Sequence, residues 1–399
     1  MTNEISQLKL SLVSFFTMFV IGTDTFIVAP LLPTLGSTFN VDIDISGWMV
    51  SAYALGYTLL ALFSGPISDR LDRRNVLLVG LIGFIVSTVL CGYAYSFETM
   101  ILYRFLAGMS AAFVSPQIWA SIPVLSKKEN IVRTMGFATA GLSVSQIAGI
   151  PLGSYLASIE WKYSFWGISI LSVALLLLLT VTFPSMKSNG HSNGSSMFQV
   201  YSQILKNRKL SIYLFGYFIF QVGNFEALSF YGSWFSVSFD FNLNEIGNAM
   251  IFIGIGNAIG SIYGTKLVPK IGLFQSLLVC IILLIIGYSI VPFSRNYYEA
   301  VFILSLVMMI AGLVFAVFMT IFQSQTQNER GTVSSLANAA MYLGTTIGGA
   351  VGGILLSKFD GFVGVAYFAI VLYLISLFVY YKAGAFSFNN NSERSIENR

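Results

Sequence analysis

Charged residues, histidine and cysteine are scarce in this chain of 399 residues, and each scarcity excludes a class of protein. Only 10% of the residues are charged against 56% that are hydrophobic, which leaves too little polar surface for a water-soluble globule. The single histidine, His191, lies in a polar stretch, so the apolar part of the chain has no imidazole base. Cys91 and Cys280 lie in separate apolar runs, which indicates buried small side chains rather than a metal or redox site.

Long apolar runs are abundant, and they are long enough for helices that cross about 30 Å of hydrocarbon. We expect an all-α membrane protein with twelve transmembrane helices in two pseudo-symmetric six-helix bundles around a central cavity. The predicted spans lie near residues 9–32, 47–68, 76–96, 99–121, 134–157, 163–183, 211–234, 247–268, 273–292, 298–322, 332–356 and 363–382.

Lysine and arginine are unevenly shared between the two sets of loops, and this bias predicts the orientation. The set that includes both termini holds Arg70, Arg73, Arg74, Lys127, Lys128, Arg133, Lys187, Lys206, Arg208, Lys209, Lys266, Lys270 and Arg330, whereas the opposite set holds Lys162, Arg295 and Lys358. We expect a multi-pass protein of the cytoplasmic (inner) membrane, with both termini in the cytoplasm. The net charge of +4 reflects this topology rather than a nucleic-acid partner, because the basic residues form no stripe.

A polar segment divides the chain into two halves that resemble each other. We expect an N-terminal bundle at 1–183, a cytoplasmic linker at 184–209, a C-terminal bundle at 210–384 and a cytoplasmic tail at 385–399. An offset of 200 residues aligns several positions, namely Gly47 with Gly247, Gly56 with Gly256, Arg70 with Lys270, Gly149 with Gly349, Gly153 with Gly353 and Leu156 with Leu356. A parallel repeat with a site between its halves is typical of a secondary transporter.

Three stretches carry motifs: "GPISDRLDRRNVL" at 65–77, "LYRFLAGMSAAF" at 102–113 and "GLSVSQIAGIPLGSYL" at 141–156. They resemble signature elements of the major facilitator superfamily, with Asp72 in place of a usual glycine and Ala107 in place of a usual glutamine. The resemblance covers all twelve spans. The form of the third stretch, together with the acid in the first span, resembles the drug:proton antiporter and the sugar and arabinose efflux branch.

The resemblance implies roles for particular residues. The first motif implies a cytoplasmic conformational latch made of Gly65, Asp69, Arg70, Arg73 and Arg74. The third is an antiporter-type helix motif, in which Gly149, Pro151 and Gly153 would allow a bend and close packing against the other half. The family implies gradient-driven efflux by rocking of the two halves, without a cofactor, metal or catalytic residue.

Three charged residues lie inside the spans: the acids Asp24 and Glu226 are the candidates for proton coupling, and Arg104 is a charge partner. From the rise of a helix, Asp24 lies about 21 Å from the inner end of span one, and Arg104 lies about 9 Å from the outer surface in span four. These depths nearly coincide, so we expect the two side chains to pair. Glu226 in span seven has no evident cationic partner, and we expect it to be the carboxyl that loads and releases a proton.

The candidate substrate cavity combines aromatic and uncharged polar side chains, some of which would instead join helices: Tyr53, Gln117, Gln146, Gln221, Tyr231, Asn257 and Asn338. This lining suits amphipathic small molecules. The sequence thus predicts a monomeric exporter whose partners are small-molecule substrates, protons and the lipid bilayer. A dedicated exporter of one sugar or peptide-like metabolite, a lipid translocator, a transporter-like sensor and an importer remain alternatives.

Overall fold

The computed structural model describes residues 5–127, 130–186, 202, 206–324 and 330–386, and they form twelve long helices numbered here in chain order. Ten of these helices consist of a single α-helical segment: α1 Gln7–Phe39, α2 Trp48–Arg70, α3 Arg73–Gly92, α6 Lys162–Thr182, α7 Arg208–Phe239, α8 Leu243–Ile271, α9 Leu273–Ile290, α10 Tyr297–Ser324, α11 Arg330–Lys358 and α12 Val363–Lys382. The fourth, α4, consists of Phe97–Ala111 and Ser115–Leu125. The fifth, α5, consists of Ile131–Val144, a π-turn at Ser145–Gly149 and Ile150–Ile159.

Most of these helices are long and apolar enough to cross a membrane. Eleven spans in the described part meet both conditions, and α7 is the twelfth helix. At 32 residues α7 is among the longest helices, but Gln221, Asn224 and Glu226 lower its hydropathy. These polar side chains are tolerated because the helix faces the interior of the protein, where most of its middle is buried.

The twelve predicted spans are confirmed, and two of them differ in detail. Helix α1 continues to Phe39 although Pro30 and Pro33 lie inside it, because a membrane helix can satisfy the carbonyls that proline frees through its neighbours. The span predicted as continuous over 99–121 is broken by a turn after Ala111. Of the predicted linker, residues 187–201 and 203–205 lie outside the described residues, as do His191 and residues 387–399 of the tail.

The two halves repeat one another at the level of single contacts. A Cβ added to Gly56 would lie 2.1 Å from the carbonyl oxygen of Phe105, and one added to Gly256 would lie 2.2 Å from that of Ser305. Both residue pairs are offset by 200. The same close crossing, of α2 with α4 and of α8 with α10, therefore forms in each bundle because only glycine lets the backbones approach so closely.

The halves also touch each other. We call the end of the molecule where α1 begins and α12 ends the termini end, and the opposite end the far end. At the far end Gly47 lies so close to Gly349 that a Cβ on Gly47 would be 1.8 Å from the Gly349 carbonyl oxygen. One turn deeper, the Ser51 hydroxyl donates to the Thr346 carbonyl at 2.6 Å. Small residues thus hold α2 of one half against α11 of the other.

Aromatic rings bridge the halves nearer the middle. Tyr57 of α2 stacks on Tyr342 of α11 with ring centroids 3.8 Å apart. Phe26 of α1 and Phe225 of α7 lie nearly parallel at 6.4 Å. Beside the second pair is a small cavity of ≈ 20 Å³, lined in part by Phe26 and Gln146.

We predict that Gly47→Ala separates the halves at the far end, because the added methyl group cannot fit against the Gly349 carbonyl. Spin labels at Asp42→Cys and Lys358→Cys should then lie farther apart in pulsed dipolar spectroscopy than they do without the alanine.

Gly136→Ala is the matched control, because nothing lies within 4 Å of a Cβ there. An unchanged distance distribution in Gly47→Ala would contradict the proposed role of this contact.

Candidate functional site

Asp24 and Arg104 form a buried ion pair inside the N-terminal bundle. Arg104 Nη1 donates to Asp24 Oδ2 at 2.9 Å, and Arg104 Nη2 donates to the Asp24 carbonyl oxygen at 3.1 Å. Both side chains are 0% exposed. The predicted pairing of these residues is therefore confirmed, and α1 and α4 supply the two charges at the same depth.

Tyr53 of α2 completes this arrangement. Its ring lies under the guanidinium, with Arg104 Cζ 4.4 Å from the ring centroid. Its hydroxyl is 3.2 Å from the Thr25 hydroxyl. Close packing sets the geometry, because a Cβ on Gly108, one turn below Arg104, would lie 1.9 Å from the Tyr53 carbonyl oxygen. Desolvation strengthens this cation–π contact.

The ion pair does not use all of its hydrogen-bonding atoms. Asp24 Oδ1 and Arg104 Nε are buried without a hydrogen-bond partner in the described part of the chain. A buried pair that lacks some of its hydrogen bonds is poorly compensated for its loss of hydration.

Glu226 of α7 has no such partner. It is 0% exposed, and neither carboxyl oxygen makes a hydrogen bond with a described residue. Two glycines of α11 make room for it: a Cβ on Gly348 would lie 2.7 Å from the Glu226 backbone nitrogen, and one on Gly352 would lie 3.2 Å from Glu226 Cγ.

The other residues predicted to line the cavity occupy different surroundings. Gln117 is buried with both amide atoms unpaired in the described part, and Gln146 lies in the π-turn beside the small central cavity. Gln221 donates to the Tyr217 hydroxyl at 2.7 Å, and Asn257 donates to the Met308 carbonyl at 3.4 Å. Gln221 and Asn257 thus make contacts within the C-terminal bundle.

The remaining two cavity candidates, Tyr231 and Asn338, also lie in different surroundings. The Tyr231 hydroxyl is 2.7 Å from that of Tyr288, so this side chain joins α7 to α9. Asn338 lies half-buried on α11.

The antiporter-type motif of α5 contains a π-turn, and its glycines pack within their own half. The π-turn, closed by the Ile150 N–H on the Ser145 carbonyl, directly precedes Pro151, which has no N–H to continue the ladder. A Cβ on Gly149 would meet Thr23 at 2.1 Å, and one on Gly153 would meet Ile27 at 2.2 Å. The expectation that both glycines pack on the other half is wrong, because α1 of the same half covers that face. Pro151 does face the other half, at Gly247.

The predicted latch is only partly visible. The side chains of Asp69 and Arg70 and the surroundings of Gly65 lie outside what the structure describes. Arg73 Nη1 donates to the Ala120 carbonyl at 2.9 Å and Arg74 Nη2 to the Thr180 carbonyl at 2.5 Å. These two arginines thus fasten α3 to the ends of α4 and α6 within the N-terminal bundle.

Asp72, the residue that departs from the family motif, makes a well-defined junction. It caps α3 by accepting from the Arg74 N–H at 2.9 Å, and it also accepts from the Met186 N–H at 2.9 Å and from the Ser185 hydroxyl. Burial raises the pKa of the Asp72 carboxyl, but the hydrogen bonds from Ser185, Met186 and Arg74 outweigh it and hold the pKa below its usual value. The side chain thus ties the start of α3 to the segment after α6.

Several residues around the two acids escaped the sequence analysis. Tyr288, Tyr373, Tyr57 and Tyr342 read as ordinary aromatic residues of apolar runs. A usable signal was present on α11, where "GGAVGG" at 348–353 places one glycine pair, Gly348 and Gly352, four residues apart and a second pair, Gly349 and Gly353, beside it. Glycines four residues apart are typical of close helix contacts. One pair packs on α7, and the other packs on the opposite half.

Comparison with known proteins gives a consistent result. The family model described as Major Facilitator Superfamily matches residues 14–338. The chain is 46% identical over 368 residues to the MFS-type transporter YceJ of Bacillus subtilis (strain 168), covering 92% of this chain and 94% of that one. It is 24% identical to Multidrug resistance protein 2 of the same organism, covering 82% and 84%.

Solved structures agree on the fold. A crystal structure of a D-xylose-proton symporter superposes with a TM-score of 0.77 at 16% identity, covering 94% of this chain and 97% of that one. At this identity the likeness concerns the fold alone. It places the twelve helices in the two six-helix bundles that the repeat predicts.

We predict that Asp24 and Arg104 are energetically coupled. Asp24→Asn or Arg104→Gln alone leaves a buried charge without its partner, which we expect to cost about 3–5 kcal/mol of unfolding free energy. The double variant removes both charges and should cost clearly less than the sum. Equilibrium unfolding in detergent measures this, and additive costs would contradict the coupling.

We also predict that Asp72→Ala destabilises the protein in a pH-dependent manner. The lost cap alone is worth about 0.5–2 kcal/mol. Because the folded-state pKa of Asp72 is lowered, its charge-dependent contribution is fully present above the unfolded pKa of about 3.9 and is lost as the pH falls through the folded value.

Thermal melts of wild type and Asp72→Ala should therefore differ more at pH 7 than at pH 3. Ser185→Ala, which removes one of the donors, should have a smaller effect. An equal difference at both pH values would contradict a role for the charge.

Proposed function

Because the chain belongs to the Major Facilitator Superfamily, it is a membrane transporter of small molecules and not an enzyme, and we propose that it exports small amphipathic compounds in exchange for protons. The observation that carries the proposal is Glu226, a fully buried carboxyl without a hydrogen-bond or ionic partner among the described residues. A carboxylate in such surroundings costs several kcal/mol unless it is neutralised. Glu226 therefore carries a proton in this conformation and loses it only where water or a cation reaches it.

Asp24 has a different part in this scheme. Arg104 compensates its charge, so it does not need a proton to remain buried. Its unpaired Oδ1 lies in the same bundle as Tyr57, whose ring stacks on Tyr342 of the other half. Asp24 thus acts as the coupled acid, which senses separation of the halves, and Glu226 acts as the proton carrier.

The cargo is proposed from the surfaces that meet between the halves. Phe26, Tyr57, Phe225 and Tyr342 contribute aromatic rings there, and Gln146 contributes an amide. When the halves separate, these groups offer apolar faces with few hydrogen-bonding atoms, which suits amphipathic molecules. A cationic group on the cargo would compete with the proton for Glu226, and this competition is what an exchange requires.

We place the termini end in the cytoplasm, on the strength of the lysine and arginine bias of the loops. In the described residues the tight contacts between the halves lie at the far end and near the middle. In this orientation the structure corresponds to a conformation closed to the outside. Rocking about the central contacts, with a monomer as the working unit, would expose the site to each side in turn.

We predict that Glu226→Gln abolishes proton-driven transport of a cationic amphipathic dye in proteoliposomes. The amide keeps the shape and neutrality of the protonated acid but cannot release a proton, so folding should be retained. Dye accumulation under an imposed pH gradient measures the effect, and size-exclusion chromatography verifies the fold.

Glu245→Gln is the matched control, because Glu245 is an exposed acid of the same half whose capping box tolerates glutamine. Undiminished transport by Glu226→Gln would sink the assignment.

An exporter dedicated to one metabolite is distinguished by a substrate screen. Purified protein in weakly buffered detergent should release protons when a true substrate binds. Release with several unrelated cationic amphipathic compounds supports the multidrug assignment, and release with a single sugar or peptide-like compound supports the dedicated exporter.

A further inference from the structure

A cavity of ≈ 430 Å³ lies between the two halves at the far end, and we call it the vestibule. Thr34 of α1 and Ser158 of α5 line it from the N-terminal half, and Ser236 of α7 and Leu243 of α8 line it from the C-terminal half. Ser158 and Asn244 at its rim are exposed, so the vestibule opens at the surface of the far end. Its volume is that of a small-molecule site, for which about 300–1,000 Å³ is typical.

Two close helix crossings form the floor of the vestibule. A Cβ added to Gly232 of α7 would lie 2.7 Å from Pro30 Cα of α1. A Cβ added to Gly247 of α8 would lie 3.1 Å from Ser154 Cβ of α5. Each floor residue is about one helical turn from a residue that lines the vestibule, in the pairs Pro30 and Thr34, Ser154 and Ser158, Gly232 and Ser236, and Gly247 and Leu243. The vestibule is thus the cleft that opens where the four helices diverge beyond these crossings.

The small cavity of ≈ 20 Å³ beside Phe26 and Phe225 lies on the inner side of the same floor. Phe26, Ile150 and Leu228 line it, each about one turn inward of a floor residue on its own helix. The described lining residues of the two cavities do not overlap. The vestibule is therefore separate from the central surfaces that are proposed to meet the cargo, and Glu226 does not line it.

The lining of the vestibule combines hydrogen-bonding groups with apolar faces. Thr34 and Ser236 bring hydroxyls, Asn244 brings an amide, and Phe241 and Leu243 bring apolar side chains. None of the described residues that line it is charged. An ion that entered would lose part of its hydration without gaining a counter-charge, whereas a neutral molecule with an apolar face and several hydroxyl groups finds partners for both.

The walls of the vestibule belong to both halves, so its shape depends on the conformation. When the halves separate at the far end, Thr34 and Ser158 move away from Ser236 and Leu243. A ligand that contacts both walls therefore binds the present conformation more tightly than the separated one, and its binding shifts the equilibrium towards the present conformation.

We propose that the vestibule is a ligand site for a neutral amphipathic molecule of the glycoside type, which enters from the outside and holds the two halves together at the far end. The inference goes beyond the proposed function, because the ligand is neutral, needs no proton and binds away from Glu226. It takes from that function only the placement of the far end outside the cell, and binding to the purified protein does not depend on that placement.

Phenyl β-glucoside is a suitable probe, because its ring and its hydroxyl groups match the two kinds of lining group. Saturation-transfer difference NMR on purified protein in lipid nanodiscs measures its affinity. We expect saturable binding to wild type, and at least tenfold weaker binding to Ser236→Trp and to Thr34→Trp. Each tryptophan fills the vestibule from a different half, so either variant alone carries the test if the other fails to fold.

Val237→Trp is the matched control. Val237 follows Ser236 on α7, is 66% exposed and does not line the vestibule, so the added ring meets no wall of it. We expect wild-type affinity in this variant and in Glu226→Gln, whose carboxyl lies outside the vestibule.

Pulsed dipolar spectroscopy measures the holding effect. In protein with spin labels at Asp42→Cys and Lys358→Cys, saturating phenyl β-glucoside should raise the share of the shorter distances. The same addition to labelled Ser236→Trp should change nothing. An unchanged distribution in the labelled protein without the tryptophan would overturn the holding role.

The outcomes separate this site from the cargo site. Wild-type affinity in the folded vestibule variants, or no saturable binding to wild type, overturns the vestibule. An equal loss in Val237→Trp does so too, because the effect is then structural. If Glu226→Gln loses binding and the vestibule variants keep it, the probe occupies the cargo site, and the vestibule is overturned while the exporter proposal gains support.

The class of ligand is tested with a cationic counterpart of the probe. If phenyltrimethylammonium binds and loses affinity in Ser236→Trp while phenyl β-glucoside does not bind, the neutral class is wrong. A failure of proton-driven dye transport leaves these binding results unchanged, so the two proposals fail separately.

Discussion

A charge inside hydrocarbon has to be paired, neutralised by a proton or given access to water, and the two halves of this transporter meet that constraint in different ways. In the N-terminal bundle, Arg104 binds Asp24 through two hydrogen bonds over the face of Tyr53. In the C-terminal bundle, Glu226 lies without a partner among the described residues. The structural repeat thus carries an electrostatic asymmetry, with a paired acid in one half and, among the described residues, an unpaired acid in the other.

Glycine makes this arrangement geometrically possible. Gly108 lets α4 approach α2 closely enough to place Arg104 on Tyr53, and Gly348 and Gly352 let α11 pack directly on α7 around Glu226. Beside them, Gly349 contacts the other half. Helix α11 therefore contacts both Glu226, the proposed proton carrier, and the far end of the other half. Under the proposed function, a movement that separates the halves at the far end would shift the wall of the Glu226 site and so couple the proton to the conformational change.

Some contacts of the candidate site could be predicted from the sequence, and others could not. The depth of Asp24 and Arg104 follows from residue counts along two helices, and this was enough to predict their pairing. The same counting could not place Gln221 or Asn257, because depth does not say which way a side chain points. Both turned out to bond within their own bundle. The two motif glycines of α5 were assigned to the wrong neighbour for the same reason: a small residue indicates a close contact but does not name the partner.

The sequence by itself determined that the chain is a twelve-span membrane protein with repeated halves and few intramembrane charges, because hydropathy, span length and periodicity are local properties. Only the tertiary structure decided which groups surround each charge. The lack of a partner for Glu226 among the described residues, the hydroxyl contact between Tyr231 and Tyr288, and the attachment of Asp72 to Ser185 and Met186 all depend on contacts between segments far apart in the chain. Such contacts are fixed by how the helices pack and rotate against one another, and no single helix carries that information.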